Sequence, residues 1–258
     1  MFKQLREVFA YKQMLISTVK KDLRSRYRGS ILGFLWTFIN PLMQLVVYSV
    51  VFKRLMRSTE ENYAMFVFTA LLPWLYCVSS IQASTTCIVS NSNLVKKIYF
   101  PRMILPISVS TTGLINYILG LVIVFPALII TGVKLTPYAL LMPVIMAVQF
   151  IFVTGLCMML SAFYVYFRDL EHIIGIVTMV WFYLTPVLYN INMFDASFRK
   201  ILELNPMTQI VMAYRNVLMY GTHPNITGFL GVTGVSVVVF LMGAFIFSRL
   251  QGNFAEEL

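Results

Sequence analysis

Asn91-Ser92-Asn93-Leu94-Val95-Lys96-Lys97-Ile98-Tyr99-Phe100-Pro101-Arg102 is a short polar and basic island between two long apolar runs, Met65 to Ile88 and Met103 to Ile130. Asn91 is a residue type that caps a helix start, and Pro101 biases Phe100 out of the helical region. The expected element is therefore a helix of about two turns. A small helix joining two membrane spans moves when either span moves, which would make it a lever for a partner in the water phase. The competing reading is a solvated loop whose lysines mark the cytoplasmic side.

Outward from the island, apolar runs repeatedly reach the ~20 residues that cross a bilayer. The predicted spans are 31–52, 65–88, 103–130, 137–166, 173–189 and 226–247. The first contains Asn40, Pro41 and Gln44, whose amides must face protein or a pore rather than lipid. The third holds Pro106, Asn116 and Pro126 and joins the fourth through a tight hairpin at Thr131–Thr136. The fifth meets Pro186 early and is short. In the sixth, Gly228, Gly231 and Gly234 recur every three residues, a pattern that lets another backbone approach closely.

Three further segments complete the chain. Over residues 1–28, Leu5, Val8, Phe9, Leu15, Ile16, Val19, Leu23 and Tyr27 recur at helical spacing, with basic residues on the other faces. That predicts an interfacial helix, or one packed on a partner. Residues 190–225 read as amphipathic helices dipping into one membrane face. Asn205-Pro206 gives a cap and a first-turn proline, Met207, Ile210, Val211, Tyr214, Val217 and Leu218 share a face, and Gly221 closes the helix. The tail from Ser248 reads as short and polar.

The chain's 258 residues are 59% hydrophobic and only 12% charged, against about 25% charged in a soluble domain. The fold class is all-α: a polytopic membrane protein, with residues 1–258 a single transmembrane domain. The net charge of +10 sits at span ends, so anionic lipid headgroups, not nucleic acid, are its expected partner. Lys and Arg are more numerous on the segments beside the island, which predicts cytoplasmic N- and C-termini, although Lys53, Arg54 and Arg57 run against that count. Cys77, Cys87 and Cys157 lie in or beside apolar runs at no metal-ligand spacing and read as packed hydrophobes.

The chemistry is sparse. The spans carry no Asp, Glu, Lys, Arg or His in their central parts, where ion-coupled carriers usually hold one. No G-x-x-x-x-G-K-[ST] occurs, so any ATP must be bound elsewhere. His172 lies in a charged loop with no second ligand at useful spacing. Asp22, Asp169 and Glu171 are too scattered to serve a membrane-embedded glycosyl or lipid transferase. Deep aromatics, Trp74 and Tyr76 with Trp181, Phe182 and Tyr183, suit either sugar rings or packing between helices. Arg24, Arg26 and Arg28 either anchor the first helix to lipid or attract a diphosphate.

Four stretches resemble the permease subunit of bacterial ABC exporters of lipid-linked polysaccharide or teichoic acid. They are Arg26-Tyr27-Arg28-Gly29-Ser30-Ile31-Leu32-Gly33-Phe34-Leu35-Trp36 continuing to Asn40-Pro41, the island itself, Phe167-Arg168-Asp169-Leu170-x-His172, and Leu184-Thr185-Pro186-Val187-x-Tyr189 with Asn205-Pro206 and Tyr214-Arg215 downstream. The resemblance implies a homodimer of six-span subunits in the cytoplasmic membrane, bound to two cytoplasmic ATPase subunits that hold ATP and magnesium. The permease itself would carry no cofactor and would not be an enzyme. The island would be the coupling helix, with Asn91, Leu94, Val95, Lys96, Lys97, Tyr99, Pro101 and Arg102 meeting the ATPase. A polyprenyl-diphosphate-linked glycan would pass between protomers, and Trp36, Asn40, Tyr48, Trp74, Tyr76, Trp181, Tyr183 and Tyr189 are the candidate lining. Residues 190–225 would be gate helices, with Asn205, Pro206, Tyr214 and Arg215 their marked positions. An ion-coupled lipid or glycan flippase is the competing function.

Overall fold

The computed structural model describes residues 2–25, 32–55 and 62–258. Arg26 and Arg28 lie outside the described residues, as does the side chain of Tyr48. The described residues form thirteen α-helices with short 3-10 and π turns, and no strand. Two helices open the chain, α1 (Phe2–Ala10) and α2 (Lys12–Ser25). Then follow α3 (Trp36–Leu55) and α4 (Tyr63–Thr85), the short α5 (Cys87–Ser90) and α6 (Ser92–Lys97), and the long α7 (Ile104–Ile130) and α8 (Met142–Tyr166). The chain ends with α9 (Leu170–Tyr183), α10 (Ala196–Glu203), α11 (Pro206–Arg215), α12 (Ile226–Leu250) and α13 (Phe254–Glu257).

Among the described residues, four helices are long and apolar enough to cross a membrane: α4, α7, α8 with the turn before it, and α12. Two shorter apolar segments, Phe38–Val47 within α3 and Leu170–Tyr183, accompany them. Helix α4 is the axis: its face toward α7, α8 and α11 is buried almost throughout, and it gives one apolar cluster more core residues than any other helix does. Its two ends define the two ends of the molecule. The C-terminal end leads through α5 into α6, the foot; the N-terminal end meets the segment after α9 and the end of α11.

Where lipid removes the hydrophobic drive between helices, close packing and buried hydrogen bonds do the work. Both are present. Helices α8 and α12 cross backbone on backbone: a Cβ at Gly155 would lie 2.6 Å from Phe240 Cα, and one at Gly243 would strike the Gly155 carbonyl. The glycine triplet expected to make such a contact does not make it here. A Cβ at Gly231 or Gly234 would meet nothing within 4 Å, and one at Gly228 would meet only the end of Gln209. The close crossing has a glycine on each partner, whereas Gly231 and Gly234 face open space and Gly228 faces only the Gln209 side chain of α11.

Two buried polar relays tie the core. Tyr214 donates to Gln149 Oε1 at 3.0 Å, and Gln149 Nε2 donates to the Pro73 carbonyl at 2.7 Å, linking α11, α8 and α4. Tyr76 and Ser110 share a hydrogen bond at 3.3 Å, and Ser110 and Thr154 share another at 2.8 Å, linking α4, α7 and α8.

Both ends of the chain depart from expectation. The single amphipathic helix of residues 1–28 is broken at Tyr11, and α2 packs along α7. Its apolar stripe is therefore divided: Val8 and Val19 are buried by protein while Phe9 and Ile16 stay exposed. The polar tail is also folded. Phe254 is fully buried against Phe247 and Tyr166, with ring centroids 5.4 and 6.3 Å away, because the last turn folds back beneath α6 and α8.

Candidate functional site

The foot is built on one buried residue. Val95 is 4% exposed and joins Val8, Ile88, Phe100, Met103, Phe247 and Phe254 in a second apolar cluster. The rest of α6 faces out: Asn93, Lys96 and Lys97 are exposed and Leu94 is half-buried. Just past it, Ile98 turns extended, Tyr99 is 85% exposed, and Phe100 and Pro101 dive back into the cluster. An alternation of this kind presents a tyrosine ring and two ammonium groups on a fixed base. Arg102 stays at the base, where its guanidinium donates to the Gln251 carbonyl.

Asn91 does not cap α6. Its side chain accepts no bond from the helix start. Instead Asn91 Nδ2 donates to the Cys87 carbonyl at 2.8 Å, and Lys21 Nζ donates to Asn91 Oδ1 at 3.3 Å. The carbonyl of Cys87, the first residue of α5 and one turn back, takes the amide NH2 while Lys21 takes the Oδ1 that a cap would use, and the amide thereby connects the foot to α2. Arg24 lies exposed in the last turn of α2. The tail closes the other side. Tyr166 donates to the Leu250 carbonyl at 2.9 Å and Arg168 Nη2 to the Glu257 carbonyl at 3.4 Å. His172 is exposed beside this loop.

At the far end, Arg215 is 4% exposed. Its guanidinium donates to three carbonyls, Phe66 at 3.2 Å, Pro186 at 2.5 Å and Val187 at 2.7 Å, and lies 3.5 Å above the Phe66 ring. One side chain thus clamps the end of α11 to the start of α4 and to the turn after α9. Tyr63 adds a bond to the Leu188 carbonyl at 2.7 Å. Asn205 caps α11 as expected, accepting from Met207 N at 3.0 Å. It also accepts from Trp181 Nε1 at 2.9 Å and donates to Leu184 O at 3.1 Å and Thr185 Oγ1 at 3.0 Å. Pro206 takes the first helical position and Gly221 ends the π turn Asn216–Tyr220 at φ +63°, a conformation that costs glycine little. The face from Met207 to Leu218 is buried, Tyr214 included.

The predicted aromatic lining separates into groups. Trp74 is buried, edge-on to Trp181 at 5.6 Å and tilted against Phe182 at 5.6 Å, so these rings brace α4 against α9. Tyr183 is exposed, and Tyr189 donates to its carbonyl at 2.9 Å while packing on Phe194. Trp36, Asn40 and Tyr76 come together with Gln44 around a cavity of about 520 Å³ between α3, α4 and α7. Gln149, Phe254 and the Gly155–Gly243 crossing were not singled out from sequence. A lone glutamine in an apolar run and a lone phenylalanine in a polar tail were the available signals for the first two.

An apolar helical bundle with a solvent-facing basic foot at one end and a clamped helical insert at the other has the form of a membrane transport subunit. The pattern for ABC-2 type transporters matches residues 13–219, and the chain belongs to that family. It is similar to the O-antigen export system permease protein RfbA of Myxococcus xanthus, 36% identical over the full length of both chains. It is also similar to RfbA of Klebsiella pneumoniae, 32% identical over 95% of each chain. The capsule polysaccharide export inner-membrane protein CtrC of Neisseria meningitidis is 25% identical over 46% of this chain and 49% of that protein.

Proposed function

We propose that this chain is the permease subunit of an exporter that moves a polyprenyl-diphosphate-linked polysaccharide, of O-antigen, capsule or teichoic acid type, across the cytoplasmic membrane. The names of its full-length relatives support the substrate class. Two copies, each with six crossings when α3 and α9 are counted beside the four long spans, would form the conduit. Both chain ends and the foot would face the cytoplasm, where two separate ATPase subunits bind and hydrolyse ATP. Closure of the ATPases would push on Leu94, Lys96, Lys97 and Tyr99, and the push would pass through Val95 to the spans on either side. Arg24, Arg26 and Arg28 would lie near the inner headgroups, anchoring the protein or attracting the diphosphate. Helices α10 and α11 would gate the outer mouth.

The observation that carries this reading is the pairing of buried Val95 with exposed Tyr99 on one short segment. Tyr99→Ala removes an exposed ring and should change fold stability by no more than ~0.5 kcal/mol. Together with Leu94→Asp it should cut co-purification of the ATPase at least about tenfold, the scale of one lost interface contact of ~1.4 kcal/mol, and abolish export. Wild-type recovery of the ATPase with normal export would reject the foot as the coupling element.

A further inference from the structure

The cavity between α3, α4 and α7 contains an uncompensated amide. Both Asn116 Oδ1 and Nδ2 are buried without a hydrogen-bond partner among the described residues, although Asn116 lines about 520 Å³ of open space. An unsatisfied amide at membrane depth costs several kcal/mol when nothing polar reaches it. Across the space stand two more amides, Asn40 and Gln44, with the rings of Trp36 and Tyr76 on the wall. Among the described residues, the lining includes no charged side chain.

These features narrow the occupant. An acyl chain would leave the Asn116 amide unpaired. A diphosphate would find no cation on these walls to replace its hydration. Amides carry a donor and an acceptor on one planar group, which matches adjacent hydroxyls, while indole and phenol faces accept the C–H face of a pyranose. The volume falls in the range of small-molecule sites and exceeds one sugar ring. We propose that this cavity is a binding site for a neutral pyranose unit, read by Asn116 with Asn40 and Gln44 and stacked against Trp36. That the ring belongs to the exported glycan rests on the permease reading above; the site itself lies within one protomer. The charged lipid end and the neutral sugars of the substrate are then handled by different parts of the protein.

The test uses the full chain in nanodiscs without ATPase subunits, by saturation-transfer NMR. The probes are the methyl glycosides of glucose, galactose, mannose and N-acetylglucosamine, with inorganic pyrophosphate as competitor. At least one glycoside should show ring-proton transfer, weakened at least about tenfold, or ~1.4 kcal/mol, in both Asn116→Leu and Gln44→Leu. Pyrophosphate should not compete. Asn116→Leu should melt no lower than wild type, since it removes an unpaired buried amide. If that variant fails to fold, Gln44→Leu, on a half-exposed position of α3, carries the test. Absence of transfer from all four glycosides, as for a cavity holding only water, overturns the site. So does transfer unchanged in the variants, or displacement by pyrophosphate. A failed ATPase docking at Tyr99 would leave glycoside binding intact, and lost glycoside binding would leave ATPase docking intact, so the two readings fail separately.

Discussion

The two short helical inserts, α6 at the foot and α10–α11 at the far end, are held by different forces. The far insert is fixed by directional bonds: three from Arg215, four through Asn205 and one from Tyr214. Each is made or broken, so that end has discrete positions. The foot rests on apolar contacts from α1, α7, α12 and α13 around Val95, joined by a few surface bonds. Such contacts have no strict angle, so they hold the foot by close packing and not by a bonded register. On the proposed reading, the difference suits a foot that would receive a push and a far end that would switch.

Arg215→Met tests the comparison most severely. It would leave the Pro186 and Val187 carbonyls short of a donor, at ~1–3 kcal/mol each, while Phe66 keeps the bond from Thr69 Oγ1, and should lower the melting temperature in detergent more than any other single substitution at either end. Arg215→Lys should recover part of the loss, because one ammonium cannot reach three carbonyls with the same fork. A melting temperature within a degree or two of wild type for the methionine variant would show that the far end is not clamped by this residue.

The two asparagines read alike in sequence give a sharper, intermediate contrast. Asn205→Ala removes a working cap and three tertiary bonds and should cost ~2 kcal/mol. Asn91→Ala removes no cap, only the bonds to Cys87 and Lys21, and should cost ~1 kcal/mol or less, as measured by unfolding in denaturing detergent. Equal costs would mean that Asn91 caps α6 after all. Phe254→Ala acts on local more than on global stability, because Phe254 stands in α13, the last described helix. The loss is confined to the last turn, so the melting temperature should move less than for Asn205→Ala. Amide exchange over residues 92–97 should instead quicken roughly tenfold, as expected when one local unit opens. Unchanged exchange there would detach the tail from the foot.

Local features were legible in the sequence. The Asn205-Pro206 start, the Gly221 stop and the apolar face between them depend only on neighbours along the chain, and all appear in the structure. The short helix of the foot, ended before Pro101, also followed from its pattern. What escaped reading depends on remote partners. Asn91 turns back because the Cys87 carbonyl and Lys21 compete for it. Arg215 is marked in the sequence only by the resemblance, as a gate-helix position, and its clamp shows only once Phe66, Pro186 and Val187 are brought to it. Gly155 and Gly243 are isolated in sequence, whereas the regular Gly228, Gly231 and Gly234 stripe drew attention to a face that no other described backbone approaches. The break at Tyr11 carries no proline or glycine to announce it.

Val8 and Phe254 belong to the same apolar cluster beneath α6. Phe254 must be synthesised before that cluster can close, so during translation the underside of α6 stays loosely supported while the helices around it are already made. On the proposed reading, assembly with a companion that grips α6 is thereby postponed until Phe254 has been made, and a product terminated before it would offer only a yielding attachment point.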